Sequence, residues 1–277
     1  MNTEYAMKNG VLIHISKVEH GLKCDCACPA CGEKMIARKG SKTTHHFAHA
    51  VSDCQYSLET ALHIMAKDIL ENEKRIKLPK VEIQIGMNRS AISEDRFIEF
   101  DEVTLEKRLE SIVPDILIRK ADKYLIIEIY VTNKVGDEKQ KAIENKGVSA
   151  IEINLSKLNK SITKVDLRRV LIDEVDCKYW IFNKIAFDYE QKLFSLCEKR
   201  QEIERYGHCK YFVGIYEGHS ISLCYKCDYN MREWKVDMDV KNGDVFDYIL
   251  CSAKTGIKTF NDLKTYNFKD GRILSHG

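Results

Sequence analysis

The chain has 277 residues, 44% of them hydrophobic and 31% charged, with 3 prolines and a net charge of +2. This length can carry two or three small cores, and the composition excludes a disordered or fibrous chain. No apolar run approaches the ~18 residues of a membrane span, the first residues lack a signal-peptide core, and no basic tail exists to hold nucleic acid non-specifically, so we expect a cytoplasmic protein with no membrane partner.

Residues 4–23 alternate weakly and predict a small hairpin about Asn9-Gly10, a favoured turn pair. The chain contains 11 cysteines, an odd number that argues against a disulfide framework, and half of all Cys and His fall within the first 57 residues. Cys28-Pro-Ala-Cys31-Gly32 has the spacing of a zinc-knuckle half, in which a tight turn points both thiolates at one ion. His45-His-Phe-Ala-His49 and Cys54 offer the other half. Our preferred ligands are Cys28, Cys31, His49 and Cys54, with His46 as the alternative third ligand and the pair Cys24 and Cys26 able to substitute. Four protein ligands would make this Zn²⁺ structural rather than catalytic. The competing reading is that these cysteines are small buried hydrophobes.

Ser57 to Ile76 predicts a helix with Ser57 as N-cap and an apolar stripe of Leu58, Ala61, Leu62, Met65 and Ile69. Glu59, His63 and Lys67 recur every four residues on an adjacent face, which is either a solvated acid–base ladder or a set of groups offered to a site. A first strand is expected around Val81 to Ile85, ahead of an acidic loop at Glu94-Asp95.

The runs Ser111 to Ile118 and Tyr124 to Thr132 read as two strands joined by a polar link. A hairpin turning about Ala121-Asp122 sets Asp115 opposite Glu128, with Cβ atoms roughly 4.5–5.5 Å apart. Two carboxylates so placed in apolar strands repel each other unless a cation or a proton intervenes, and together they can share a divalent ion. A loop one residue longer or shorter would put them on opposite faces. Gly136 to Lys146 then has helical composition, with Gly147 as a C-cap, and Val148 to Leu155 alternates as a strand. Helix, antiparallel strands, crossover helix and strand together predict an α/β sandwich.

From Asp166 to Tyr206 the sequence is helical in character, with Trp180, Phe182 and Phe187 read as packing residues rather than a base-stacking platform. Cys224-Tyr-Lys-Cys227 could form half of a second zinc site, completed by Cys209 with His208 or His219. The expected domains are 1–56, 57–160 and 161–277. Residues 228–277 alternate strand-like and turn-like segments and carry no motif with a chemistry of its own.

Taken in order, Cys-Pro-x-Cys, His-Phe-Ala-His, the Glu-x-x-x-His helix, Pro114-Asp115 and Glu128-Ile-Tyr-Val-Thr resemble the competence protein CoiA family over roughly residues 20–160. The resemblance implies an α/β (α+β) fold: a zinc-binding amino-terminal β module joined to a restriction-endonuclease-like core, here followed by a mostly helical region. It implies a PD-(D/E)xK nuclease with Mg²⁺ or Mn²⁺, acting on DNA during uptake, recombination or defence, with a protein partner in such a complex. Carried over residue by residue, the motif acids fall on Asp115 and Glu128 and the helix acid on Glu59, with His63 or Lys67 reaching phosphate. The motif lysine position is occupied by Tyr130, which supplies no cation. Lys67, Lys139 or Lys146 could fill that space. Two other readings follow: a nuclease-fold DNA-binding accessory protein that does not cut, and a redox or zinc-sensing regulator.

Overall fold

A computed structural model describes residues 3–51, 54, 56–86, 88–105, 107–157, 163–201, 227–239 and 244–273. In chain order these form β1 (Tyr5–Lys8), β2 (Val11–His14), β3 (Gly21–Ala27), β4 (Lys34–Arg38), β5 (His46–His49), α1 (Ser57–Glu73), β6 (Arg75–Leu78), β7 (Val81–Ile85), β8 (Asn88–Ser93), β9 (Arg96–Glu99), β10 (Glu102–Leu105), β11 (Ile116–Lys120) and β12 (Lys123–Tyr130). They continue as α2 (Asp137–Lys146), β13 (Ala150–Asn154), α3 (Lys164–Ile172), β14 (Lys178–Phe182), α4 (Lys184–Ser195), β15 (Glu198–Gln201), β16 (Asn230–Asp239), β17 (Asp244–Cys251), α5 (Phe260–Thr265), β18 (Tyr266–Asn267) and β19 (Arg272–Ile273). Among the described residues no helix is long and apolar enough to cross a membrane.

Two compact units emerge: one from the described residues of 1–79 and 95–183, the other from those of 80–94 and 184–277. The expected boundaries at 57 and 161 do not coincide with this division. Residues 1–56 share a unit with the segment that follows them, and 161–183 belong to that same unit.

The first unit opens with a five-stranded antiparallel sheet ordered β2-β1-β3-β4-β5. Its first hairpin turns at Asn9 and Gly10, both at positive φ (51° and 77°), as a primed two-residue turn requires. Its core is Ala6, Ile15, Val18, Cys24, Cys26, Cys28, Met35, Ala37 and Phe47.

The second sheet of this unit is ordered β10-β11-β12-β13-β14, with β12 and β13 parallel and the other neighbours antiparallel. A parallel pair needs a long crossover, and α2 provides it. The β11–β12 register runs from Ile116↔Ile127 to Lys120↔Lys123, the register expected from a turn at Ala121-Asp122. Ala121 sits at φ 51°, a conformation that disfavours a side chain. The turn is held there because the Asp101 carboxylate accepts the Ala121 N–H at 2.9 Å and Arg119 donates to the Ala121 carbonyl at 3.1 Å.

One face of this sheet packs Ile116, Ile118, Ile127, Ile129, Ile151 and Ile153 against the α1 stripe (Leu58, Ala61, Leu62, Met65, Ile69) and α3 (Leu167, Val170, Leu171). The other packs Leu117, Ile126 and Ala150 against Ile143 of α2, with Ile112 and Phe182. Strand alternation divides the residues between these faces: odd positions of β12 face α1, and even positions, Glu128 among them, face α2.

Several expectations change. The first helix ends at Glu73, where Lys74 takes a left-handed C-cap (φ 52°), and Arg75–Leu78 leaves as a strand. Tyr56 rather than Ser57 occupies the N-cap, and the fully buried Ser57 hydroxyl has no hydrogen-bond partner among the described residues. Lys178–Phe182, expected to be helical, is the fifth strand of the central sheet, because Phe182 and Ala150 complete one apolar face. Trp180 is half-buried and donates to the Pro79 carbonyl at 3.3 Å.

Val81–Ile85, expected as the first strand of the sandwich, instead forms a hairpin with β8 in the second unit, and β10 takes the place expected for it. Ile83 and Ile85 bury themselves with Leu193, Met231, Leu250, Ile257 and Leu263. The turn after β7 passes the Asp228 backbone so closely that a Cβ on Gly86 (φ 58°) would lie 2.6 Å from that carbonyl. Only glycine fits there. The unit's described strands include a sheet ordered β15-β17-β16.

Candidate functional site

Two clusters of chemistry-bearing side chains stand out, both in the first unit. The first is Cys28, Cys31, His49 and Cys54, whose ligand atoms all lie within 4.8 Å of one another. Cys28 and Cys31 occupy the turn between β3 and β4. There Gly32 (φ 75°) donates to the Cys28 carbonyl at 3.0 Å, and the Ala30 N–H points at the Cys28 sulfur at 3.4 Å. His49 closes β5 opposite Met35, and its Nε2 lies 3.4 Å from the Cys31 sulfur. Cys54 arrives just before α1.

Tetrahedral ligands on zinc are separated by roughly 3.8 Å, from Zn–S bonds of about 2.3 Å, so a small inward movement of these donors satisfies the ion. Burial pushes the Cys28 thiol up to about 11, against the opposing Cys31 and Ala30 N–H groups. A cation reverses that logic by favouring thiolates. Three thiols and one imidazole with this spacing fit a structural zinc.

The substitutes do not join this cluster. Cys24 and Cys26 are core residues whose thiols bond the Met35 and Cys24 carbonyls at 3.2 Å. His46, the alternative ligand, has its Nδ1 2.8 Å from the Thr44 carbonyl, at the far end of β5. Of the second cysteine group, Cys227 is half-buried just ahead of β16, while Cys209, Cys224, His208 and His219 lie outside the described residues.

The second cluster forms at the carboxyl end of β12. Asp115 directly precedes β11, and its Oδ2 accepts the Ile129 N–H at 2.7 Å, extending the hairpin register by a side chain. His63 reaches the same oxygen at 3.6 Å from α1, and its buried Nε2 has no hydrogen-bond partner among the described residues. Glu128, 3% exposed, accepts from Lys139 of α2 at 2.6 Å through Oε2, while its buried Oε1 has no hydrogen-bond donor among the described residues. Burial, reinforced by the Asp115 charge, raises the Glu128 carboxyl to about 7 despite the Lys139 ammonium. Glu59 accepts from the Thr132 hydroxyl at 2.8 Å.

Of the three lysines that could replace the motif lysine, Lys139 meets the acids. Lys67 pairs with Glu71 on its own helix at 3.2 Å, and Lys146 pairs with Glu110. Tyr130 ends β12 two positions beyond Glu128 on the same face, with its carbonyl accepting the Leu155 N–H. A buried carboxylate with one orphan oxygen, a second carboxylate beside it and a lysine at hydrogen-bond distance fit a divalent cation. Burial of the Glu128 carboxyl with one oxygen lacking a donor among the described residues, and with its pKa raised, makes this strand end a candidate site.

One further acid escaped the sequence reading. Ile127-Glu128-Ile129 lies in parallel register beside Ile151-Glu152-Ile153, Glu directly beside Glu. Glu152 is also buried, and its Oε2 accepts the Val135 N–H at 3.1 Å. The signal was the same as for Asp115 and Glu128: an acid inside an apolar strand.

The fold and clusters define a mixed α/β protein with a Cys/His cluster of zinc-holding type in its amino-terminal sheet. Residues 14–57 match the family described as Competence protein CoiA, N-terminal domain. The match ends as α1 begins, so it spans the zinc-type cluster and not the acidic one. No curated protein and no solved structure matches the chain.

Proposed function

We propose that the protein is a metal-dependent nuclease that hydrolyses phosphodiester bonds in DNA, serving DNA uptake, recombination or defence. The observation that carries this is the convergence of Asp115, Glu128 and Lys139 at one strand end, with Glu128 buried and half unpaired. The order α1, β10, β11, β12, α2, β13 supports a restriction-endonuclease-like core. In this reading Lys139 supplies from α2 the cation that Tyr130 does not.

Asp115 and Glu128 would hold Mg²⁺ or Mn²⁺, with the Ile129 carbonyl beside them. When bound, the ion polarises the phosphate and acidifies water. The Ile129 N–H fixes the Asp115 carboxylate, so this ligand loses little rotamer freedom on binding. Lys139 stabilises charge gathering on the phosphate, and His63, poised beside Asp115, contacts phosphate or relays a proton. Glu59, tied to Thr132, adds negative potential near the strand end. The zinc-type module positions DNA or a protein partner.

Cleavage of labelled single- and double-stranded DNA with Mg²⁺ or Mn²⁺ tests this. Asp115→Ala and Glu128→Ala should abolish cut product, and Lys139→Ala should slow it by about 10²–10³-fold, the usual cost of losing one group that stabilises transition-state charge. Full activity in the acid variants would sink the proposal. A folded, zinc-loaded wild type that binds DNA without cutting it would favour the accessory-protein reading, for which Tyr130 is the supporting observation.

A further inference from the structure

Four carboxylates each hold one donor of the segment Ile129–Lys139. Asp115 takes the Ile129 N–H, Glu59 the Thr132 hydroxyl, Glu152 the Val135 N–H and Glu128 the Lys139 ammonium. Three of these acids belong to the reaction proposed above. Glu152 does not, yet it is 4% exposed and lies directly beside Glu128 on the same face of the sheet. Like charges placed so are unfavourable, and such a pair persists when each member has its own donor. Here both donors come from one stretch, Val135 and Lys139.

The need for this tether is visible in α2. Its N-cap, Gly136, provides no side-chain cap, and the helix buries only Ile143. Ile143, Ala142 half-buried beside it and the Lys146–Glu110 pair hold the carboxyl half of this ten-residue helix, whereas its first turn, Asp137 to Gln140, brings no apolar side chain to the packing from which most helical stability comes. The Glu152 bond lands on Val135, immediately before the cap, and a charge-assisted bond to a backbone N–H is among the stronger ones.

We propose that Glu152 is a positioning residue: it anchors the start of α2 through the Val135 N–H and thereby sets Lys139 on Glu128. Its catalytic meaning rests on the nuclease reading, but its effect on Lys139 does not. The test is competitive acetylation of the full chain with acetic anhydride, read by mass spectrometry at each lysine, without DNA. In the wild type Lys139 should label more slowly than the exposed Lys141 of the same helix. Glu152→Ala should raise Lys139 labelling about tenfold, the worth of one charge-assisted hydrogen bond, and leave Lys164 of α3 unchanged. Glu152→Gln keeps a carbonyl acceptor for Val135 and should stay near wild type. Val135→Pro removes the donor instead of the acceptor and should release Lys139 as Glu152→Ala does, which covers the case in which the alanine variant fails to fold.

Unchanged Lys139 labelling in Glu152→Ala and Val135→Pro overturns the proposal. So does a uniform rise at every lysine, which would mean general loosening. Cleavage assays on the same samples separate the two ideas: Lys139 released without any wild-type cleavage supports the tether and counts against the nuclease alone.

Discussion

Glu128→Gln replaces a buried acid by a neutral side chain of the same shape, and its effect on the metal-free protein follows from the raised pKa of the acid. With the folded value at about 7 against an ordinary 4.5, the carboxyl holds its proton more tightly in the folded than in the unfolded chain. The stability it contributes is fully present below about pH 4.5 and is lost as pH rises through about 7. At pH 8 ionising it costs about 3 kcal/mol, from roughly 1.4 kcal/mol per unit, and at pH 5 less than about 1 kcal/mol. Loss of the Lys139 pair offsets a fraction of this; Lys139 is nearly a third exposed and rehydrates, at a cost of about 0.5 kcal/mol. The Gln variant should therefore gain about 2–3 kcal/mol at pH 8 and little at pH 5. For a unit of this size that corresponds to roughly 5–10 °C in the unfolding midpoint. Urea unfolding in cation-depleted buffer, with zinc retained, measures it at both pH values. Adding Mg²⁺ should then stabilise the wild type and not the variant. A variant that is less stable at pH 8, or equally shifted at both pH values, would refute the account of Glu128 as a buried acid held in wait for a cation.

Zinc should copurify with the protein at one equivalent per cluster, and Cys54→Ser or a strong chelator should remove it; elemental analysis with circular dichroism would show metal loss together with melting of the amino-terminal sheet, and a metal-free, fully folded wild type would contradict the cluster's assignment. Lys178 is buried with its ammonium on the Lys77 carbonyl at 2.8 Å, and burial lowers it to about 8. Its folded value is depressed, so wild-type stability should rise between about pH 8 and 10.5, and Lys178→Met should gain about 2 kcal/mol at pH 7, after about 1 kcal/mol for the orphaned carbonyl. Thermal unfolding of both proteins across that pH range checks it; a destabilised methionine variant at pH 7 would count against it.

The two clusters were legible for different reasons. The zinc-type ligands follow from spacing, because a Cys-x-x-Cys turn closed by glycine has few other uses, and burial then removed Cys24 and Cys26 from contention. The Asp115–Glu128 register was legible because strand period and a two-residue turn leave one symmetric solution. What the sequence does not carry is the destination of an apolar run. Val81–Ile85 reads as a strand, but Ile83 and Ile85 fit either core equally well, and the turn at Gly86 directs them to the second. Lys178–Phe182 lies between two helices and borrows their pattern, so its role as a sheet edge emerges only once Ala150 is seen to face Phe182. The choice of Lys139 over Lys67 and Lys146 rests on the length of the crossover, which no local pattern reports.

The compact spacing of both clusters has a consequence for biogenesis. Cys28 to Cys54 and Asp115 to Lys139 are each short stretches of chain, whereas the sheet that supports the acids is completed only by β14. Short loops close at little entropic cost, so during synthesis the metal-binding knuckle can capture its ion and close while the later strands are still in the ribosome. The acids emerge later, and the sheet around Glu128 is complete only once β13 and β14 have followed them. A chain stalled between these points would hold its zinc and leave its carboxylates in water, where they have no reason to retain a proton.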